Sequence, residues 1–191
     1  MIIGITGGTG CGKTTALSAI LELGGKVLDC DAIYHQLLET DKELLSAIET
    51  AFPGVAEEGK LNRKKLGTLV FGNQDALETL NAITHTQITR VILKELEEKS
   101  DLIAIDAIAL FESGLAALCD VTVAITAPED VRIQRIMARD NISYDYAKSR
   151  IDAQPSQETF SKRCDYTLNN DGDVNAFHSK CLAFFRKIAI M

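Results

Sequence analysis

Five short apolar runs recur along the chain, at Ile2–Thr6, Lys26–Asp29, 102–106, Val121–Thr126 and 165–168, each bounded by turn residues. Runs of this kind predict strands buried on both faces. Between them apolar positions return at intervals of three or four, the period of a helix with one buried face. The alternation predicts βα units: an α/β fold of three layers, α/β/α, around a mostly parallel five-stranded sheet. Ligands are then expected at the carboxyl ends of the strands.

One interval breaks the alternation. From 32 to 100 the pattern is helical throughout, with Leu44, Leu45 and Ile48, and later Leu77, Leu80, Ile83 and Ile88, at helical spacings. It reads as a helical insertion, and the polar stretch from Pro53-Gly54 to Gly59 reads as a connection within it. After the fourth strand, Thr126 and Glu129 have capping-box spacing around Pro128, predicting a helix that runs to about Arg139. A polar segment follows. The expected organisation is a core of 1–31, 101–138 and 164–191, an insertion of 32–100 and a small lid of 139–163.

The first strand runs into Gly7-Gly8-Thr9-Gly10-Cys11-Gly12-Lys13-Thr14, which fits G-x-x-x-x-G-K-T at every required position and precedes the helical run 15–23. Glycines let backbone N–H groups converge on phosphate oxygens, and the helix N-terminus adds the positive end of its dipole. Gly8, Thr9, Gly10, Cys11, Gly12, Lys13, Thr14 and Thr15 are therefore expected to bind ATP, with Lys13 reaching the β- and γ-phosphates and Thr14 holding Mg²⁺ through its hydroxyl. The loop leaves the acceptor open, since switches and motors share it.

Lys and Arg number 20 against 27 Asp and Glu, a net charge of −7. That balance argues against nucleic acid or an anionic membrane as partner, and makes any phosphate site local. No stretch approaches the roughly 18 uninterrupted apolar residues of a membrane span. Five widely spaced cysteines without a Cys-x-x-Cys pair suggest neither disulfides nor zinc, which fits a reducing cytoplasm. Nothing here fixes an oligomeric state.

Phosphate transfer to an alcohol needs a carboxylate within reach of the hydroxyl. Asp29 and Asp31, at the end of the second strand, stand where such a base belongs. Asp31 equally suits the N-cap of the helix that follows, and spacing alone leaves both readings open. Asp106 ends the third strand as an acid serving Mg²⁺ or substrate does, or as an ordinary strand end. Arg132, Arg135 and Arg139 fall at i, i+3 and i+7, one helical face that would suit either a phosphate cluster or solvent.

The phosphate loop followed by Leu23-Gly24-x-x-Val27-x-Asp29-x-Asp31 and Ala32-Ile33-Tyr34-His35 resembles the dephospho-CoA kinase family. The likeness continues in order through Arg63-Lys64-Lys65-Leu66, Leu80-Asn81-x-Ile83-x-His85, Leu110-Phe111-Glu112, Gln134-Arg135 to Arg139-Asp140, Arg150-Ile151-x-Ala153-Gln154 and Asn170-x-Gly172. The resemblance implies transfer of the ATP γ-phosphoryl group to the ribose 3′-hydroxyl of dephospho-CoA, with Mg²⁺. It implies Asp31 as general base, Arg139 as the lid arginine, Asn170 as an adenine-side contact, and His85 lining an insertion that binds the acceptor.

Three departures from the family pattern stand out: Ile108-Ala109 replace Pro-Leu, Thr86 replaces a proline after His85, and Cys11 replaces a serine. Cys11 reads first as a small side chain that simply fits the loop, while its place beside a helix N-terminus, a setting that lowers thiol pKa, leaves an oxidisable thiol as the alternative. Rival readings are another nucleoside or nucleotide kinase on the same core, which the long insertion disfavours, and a non-catalytic nucleotide switch, weakened because no guanine-reading Asn-Lys-x-Asp is present.

Overall fold

The computed structural model describes residues 1–98 and 100–189, which divide into two compact units. One is built of 1–28 and 100–189, the other of 29–98. Residues 99, 190 and 191, assigned above to the insertion and the core, lie outside the described residues.

In chain order the first elements are β1 (Ile2–Thr6), α1 (Lys13–Glu22), β2 (Lys26–Asp29), α2 (Cys30–Thr40) and α3 (Lys42–Ala51). Two-residue strands β3 (Ala56–Glu57) and β4 (Lys60–Leu61) precede α4 (Arg63–Val70) and α5 (Gln74–Leu96). Then come β5 (Ile103–Asp106), β6 (Val121–Thr126), α6 (Glu129–Asp140), α7 (Tyr144–Asp152), α8 (Gln157–Arg163), β7 (Tyr166–Asn169) and α9 (Val174–Ala189).

The five-stranded sheet has the order β2-β5-β1-β6-β7, and the pairings of β1 with β5 and β6, and of β6 with β7, are parallel. From β1 the chain runs to the edge strand β2, returns inward through β5 beside β1, and then crosses to β6 and β7 on the other side. The connections therefore reverse direction next to β1, where such sheets bind ligands at the carboxyl ends of the strands. The phosphate loop leaves β1 at that point. Register sets Ile5 beside Asp106, which brings the acid that ends β5 level with the end of β1.

Ile3, Ile5, Ala104, Val123 and Ile125 are all fully buried, as continuous apolar strands covered on both faces require. Phe177, Cys181 and Phe185 repeat every four residues on α9 and share one core with Ala16 and Ile20 of α1. At the middle of β1 a Cβ on Gly4 would stand 2.8 Å from both Leu110 Cδ2 and Cys119 Sγ, so glycine here admits the turn after β5 into the core.

The stretch 139–163 belongs to this same unit. Ile133 and Ile136 of α6 pack on Ala147 and Ile151 of α7. The expected capping box at its start is not formed: α6 begins after Pro128 with no side-chain cap. Thr126 is still in β6, paired with Asn169 of β7, and its hydroxyl donates across to Asn169 Oδ1 at 3.3 Å. Glu129 and Asp130 in the first turn complement the helix dipole instead.

In the second unit α5 carries Leu80, Thr84, Ile88 and Ile92 on its buried face, and α3 contributes the fully buried Leu44 and Ile48. The polar connection at 53–59 carries β3 and the turn of a β-hairpin, completed by β4, that no alternation predicted. Glu58 and Gly59 have φ of 51° and 76°, the paired left-handed geometry of a two-residue hairpin turn. Glu49 fixes its approach by accepting hydrogen bonds from Gly54 N and Ala56 N, both at 2.6 Å.

Candidate functional site

Gly12 is the N-cap of α1, in the left-handed region at φ 96°, and no side chain caps the helix. A Cβ there would stand 2.1 Å from Asn170 Nδ2. Glycine is thus required twice over, by conformation and by space. The uncapped first turn of α1 directs its amides to the end of β1, the setting in which helix N-termini bind phosphate.

Side chains from distant elements hold the loop by its own backbone. Arg132 Nε donates to Thr9 O at 2.9 Å, while Gln154 Oε1 accepts from Thr9 N at 2.8 Å, so both polar groups of one residue are fixed. Asn170 Nδ2 donates to Cys11 O at 2.9 Å, and Arg135 bridges Gly10 O at 3.4 Å and Asn170 Oδ1 at 3.2 Å. Arg132 is only 3% exposed, and its Nη2 would lie 2.4 Å from a Cβ on Gly8. Burial lowers its pKa, the loss of hydration being the first cause.

Lys13 Nζ donates to Gly7 O at 3.1 Å and stands 3.9 Å from Asp106 Oδ1, with both side chains mostly buried. The lysine is thereby held across the loop mouth beside a strand-end carboxylate. Thr14 is exposed at the start of α1, and Thr15 is half-buried behind it.

The arginine stripe divides. Arg132 and Arg135 reach the loop, whereas Arg139, one turn further along α6, forms a two-pronged pair with Asp140 at 2.7 and 2.9 Å. Arg150 meets the same carboxylate. These hydrogen bonds, Arg139's first, hold the Asp140 carboxyl well below the usual range. Asn170, expected on the adenine side, is 3% exposed and engaged beneath the loop.

Two readings left open by spacing are narrowed by the backbone and by burial. The N-cap of α2 is Asp29, whose Oδ1 accepts from Asp31 N at 2.9 Å and Ala32 N at 3.0 Å. The chain leaves β2 extended at Asp29 and is already helical at Asp31, so only the earlier residue has capping geometry. Asp31 is left exposed on the first turn. Cys11 is 1% exposed, as a small side chain packed into the loop requires, and burial pushes its thiol pKa up despite the opposing charge of Lys13. A buried neutral thiol removes the basis for ready oxidation.

His85 lies half-buried on α5 in the second unit. Thr86 continues the helix where a proline would interrupt its hydrogen bonds, its hydroxyl donating to Ala82 O at 2.8 Å. Ile108 is held through its carbonyl by Thr6 Oγ1 at 3.1 Å. Gln154 received no role from the sequence beyond its place in a motif. A contact spanning 145 positions leaves no local period to read.

The donor set suits Mg²⁺ carried in with a nucleotide. A threonine hydroxyl and the Asp106 carboxylate are hard oxygen ligands, and among the described residues no group of three or more His, Cys, Asp or Glu is arranged to hold a metal alone. Mg²⁺ commonly binds through few protein oxygens together with phosphates. No helix among the described residues is long and apolar enough to cross a membrane.

Residues 1–176 match the family described as dephospho-CoA kinase. A dephospho-CoA kinase of Pseudoalteromonas translucida is 39% identical over 188 residues, covering 97% of this chain and 90% of that protein. Among solved structures, the Thermus thermophilus protein TT1252 superposes with a TM-score of 0.82 at 31% identity, covering 98% of this chain and 97% of that one. The dephospho-CoA kinase from Campylobacter jejuni gives 0.69 at 28% identity, with 98% and 96% covered.

Proposed function

The chain belongs to the dephospho-CoA kinase family, and from that premise we propose how its residues divide the transfer of the ATP γ-phosphoryl group to the ribose 3′-hydroxyl of dephospho-CoA. The loop 7–14 and the first turn of α1 bind the donor phosphates. Lys13 follows the β- and γ-oxygens as charge shifts toward ADP, and Asp106 holds that lysine in place. Asp31 takes the proton of the 3′-hydroxyl as the oxygen bonds to Pγ and the bond to the β,γ-bridging oxygen breaks, releasing ADP and coenzyme A.

The observation that carries this reading is the division between the two aspartates: Asp29 caps α2, so the Asp31 carboxylate is free for chemistry. Mg²⁺, when bound, neutralises phosphate charge, and Thr14 and Asp106 supply the oxygens that would hold it. Asn170 serves the nucleotide through the loop it supports. Arg139 contributes charge to the transferring group after exchanging Asp140 for phosphate, leaving Asp140 to Arg150. His85 helps bind the acceptor from the second unit. Five free cysteines accord with work in the cytoplasm.

Incubation with Mg-ATP and, in turn, dephospho-CoA, AMP, adenosine or pantothenate tests the proposal by the ADP formed. Dephospho-CoA alone should raise ADP release well above the rate with water. An equal response to AMP or adenosine would assign the chain to another nucleotide kinase, and no acceptor-dependent ADP would defeat the kinase reading.

A further inference from the structure

The second unit contains a cavity of about 200 Å³ between α2, α4 and α5. Its wall is apolar, built from Leu38, Leu66, Val70 and Leu80, while Tyr34, His35 and Arg63 bring polar groups to it. Arg63 Nη1 lies 3.5 Å from His35 Nδ1, and Arg63 Nη2 lies 3.9 Å from Glu39 Oε1 in a pair whose side chains are both more than half exposed. The guanidinium is thus loosely held and available to an anion.

Gly67 lines the same cavity in the interior of α4. A glycine there costs a helix about 1 kcal/mol relative to alanine. Neither a positive φ nor a neighbouring atom requires it: a Cβ at this position meets nothing within 4 Å. What glycine provides at this point is room in the cavity. The helix α2 supplies the link to chemistry, because Asp31, Tyr34, His35 and Leu38 fall at i, i+3, i+4 and i+7, one face of the helix.

We propose that this cavity is the subsite for the pantetheine arm of the acceptor, with the branched apolar pantoyl group seated against Leu66, Val70 and Leu80 and the adjoining diphosphate met by Arg63 and His35. The proposal rests on the reading of the second unit as the acceptor-binding part. The volume suits a fragment, since pockets for a whole drug-sized ligand run to about 300–1,000 Å³. The ligand is amphipathic in the same sense as the site, apolar and branched beside a dianionic linker. A site on the face that bears Asp31 orients the remainder of the acceptor toward the base.

Gly67→Leu and Gly67→Ala test it. Each retains or raises Tm, because the new side chain favours helix. Steady-state kinetics should then give a KM for dephospho-CoA raised tenfold or more in Gly67→Leu and a few-fold in Gly67→Ala, with the KM for ATP unchanged. Arg63→Gln should raise the same acceptor KM, and Arg63→Lys should recover part of the loss. 4′-Phosphopantetheine should compete with dephospho-CoA in the wild-type protein and compete poorly in Gly67→Leu.

A folded Gly67→Leu protein with unaltered acceptor KM and unaltered 4′-phosphopantetheine competition overturns the proposal. If Gly67→Leu does not fold, the Gly67→Ala ratio decides. Should the wild type give no ADP with dephospho-CoA, the kinase reading fails separately. Calorimetry with 4′-phosphopantetheine on wild type and Gly67→Ala then still decides whether the cavity takes the arm.

Discussion

Asp29 and Asp31 are two residues apart and chemically identical, yet α2 separates their work. Asp29→Ala should lower stability by about 1 kcal/mol in thermal or denaturant unfolding, the usual value of an N-cap. Asp31→Asn should leave Tm and ATP binding intact while turnover falls by about 10²- to 10⁴-fold; full activity in that variant would remove the base assignment. Gly8→Ala should raise the KM for ATP, because its Cβ must displace an arginine that is 3% exposed. Arg139→Ala should depress turnover far more than Tm, since a pair 58% exposed on its arginine side contributes little to folding. Lys13 and Thr14 were placed at the start of α1 by fixed motif spacing, and α1 begins there. The spacing put Asp31 forward as both base and cap, and backbone geometry gives the cap to Asp29. For Cys11 the chain showed proximity to a helix N-terminus but not burial, and burial favours the reading of a small packed side chain.

Elements were legible in proportion to their length. The five strands of the main sheet are long enough to stand out as apolar runs, and their observed bounds differ from the expected ones by at most one residue. The hairpin of β3 and β4 has two residues per strand, too few for any alternation. Its stability comes from Glu49, whose carboxyl pKa is lowered chiefly by the amides of Gly54 and Ala56. A depressed carboxyl pKa contributes stability above the unfolded value, and that contribution is lost as pH falls through the folded value. Glu49→Gln should therefore unfold more easily than wild type at neutral pH, and the difference should shrink as denaturation is measured below about pH 4.5.

For the molecule as a whole, the motif that follows the first strand made the phosphate loop legible before any side chain was placed, whereas the grip on the loop depended on tertiary contacts. Burial also governs the thiols. Cys119 and Cys181 are pushed up to about 12 and Cys164 to about 11, each chiefly by desolvation. Native protein should resist thiolate-selective alkylation at pH 8. A raised thiol pKa leaves stability intact below the unfolded value of 9.0, so unfolding titrations should lose stability as pH climbs from about 9 toward 12.

The Thr9 peptide groups, held on one side by Arg132 of α6 and on the other by Gln154 just past the end of α7, make the phosphate loop and those helices a single thermodynamic unit. Linkage runs both ways. A nucleotide that favours the set loop must also favour the helices that set it, and amide hydrogen exchange in α6 and α7 should slow when ATP binds, although neither helix contains the motif.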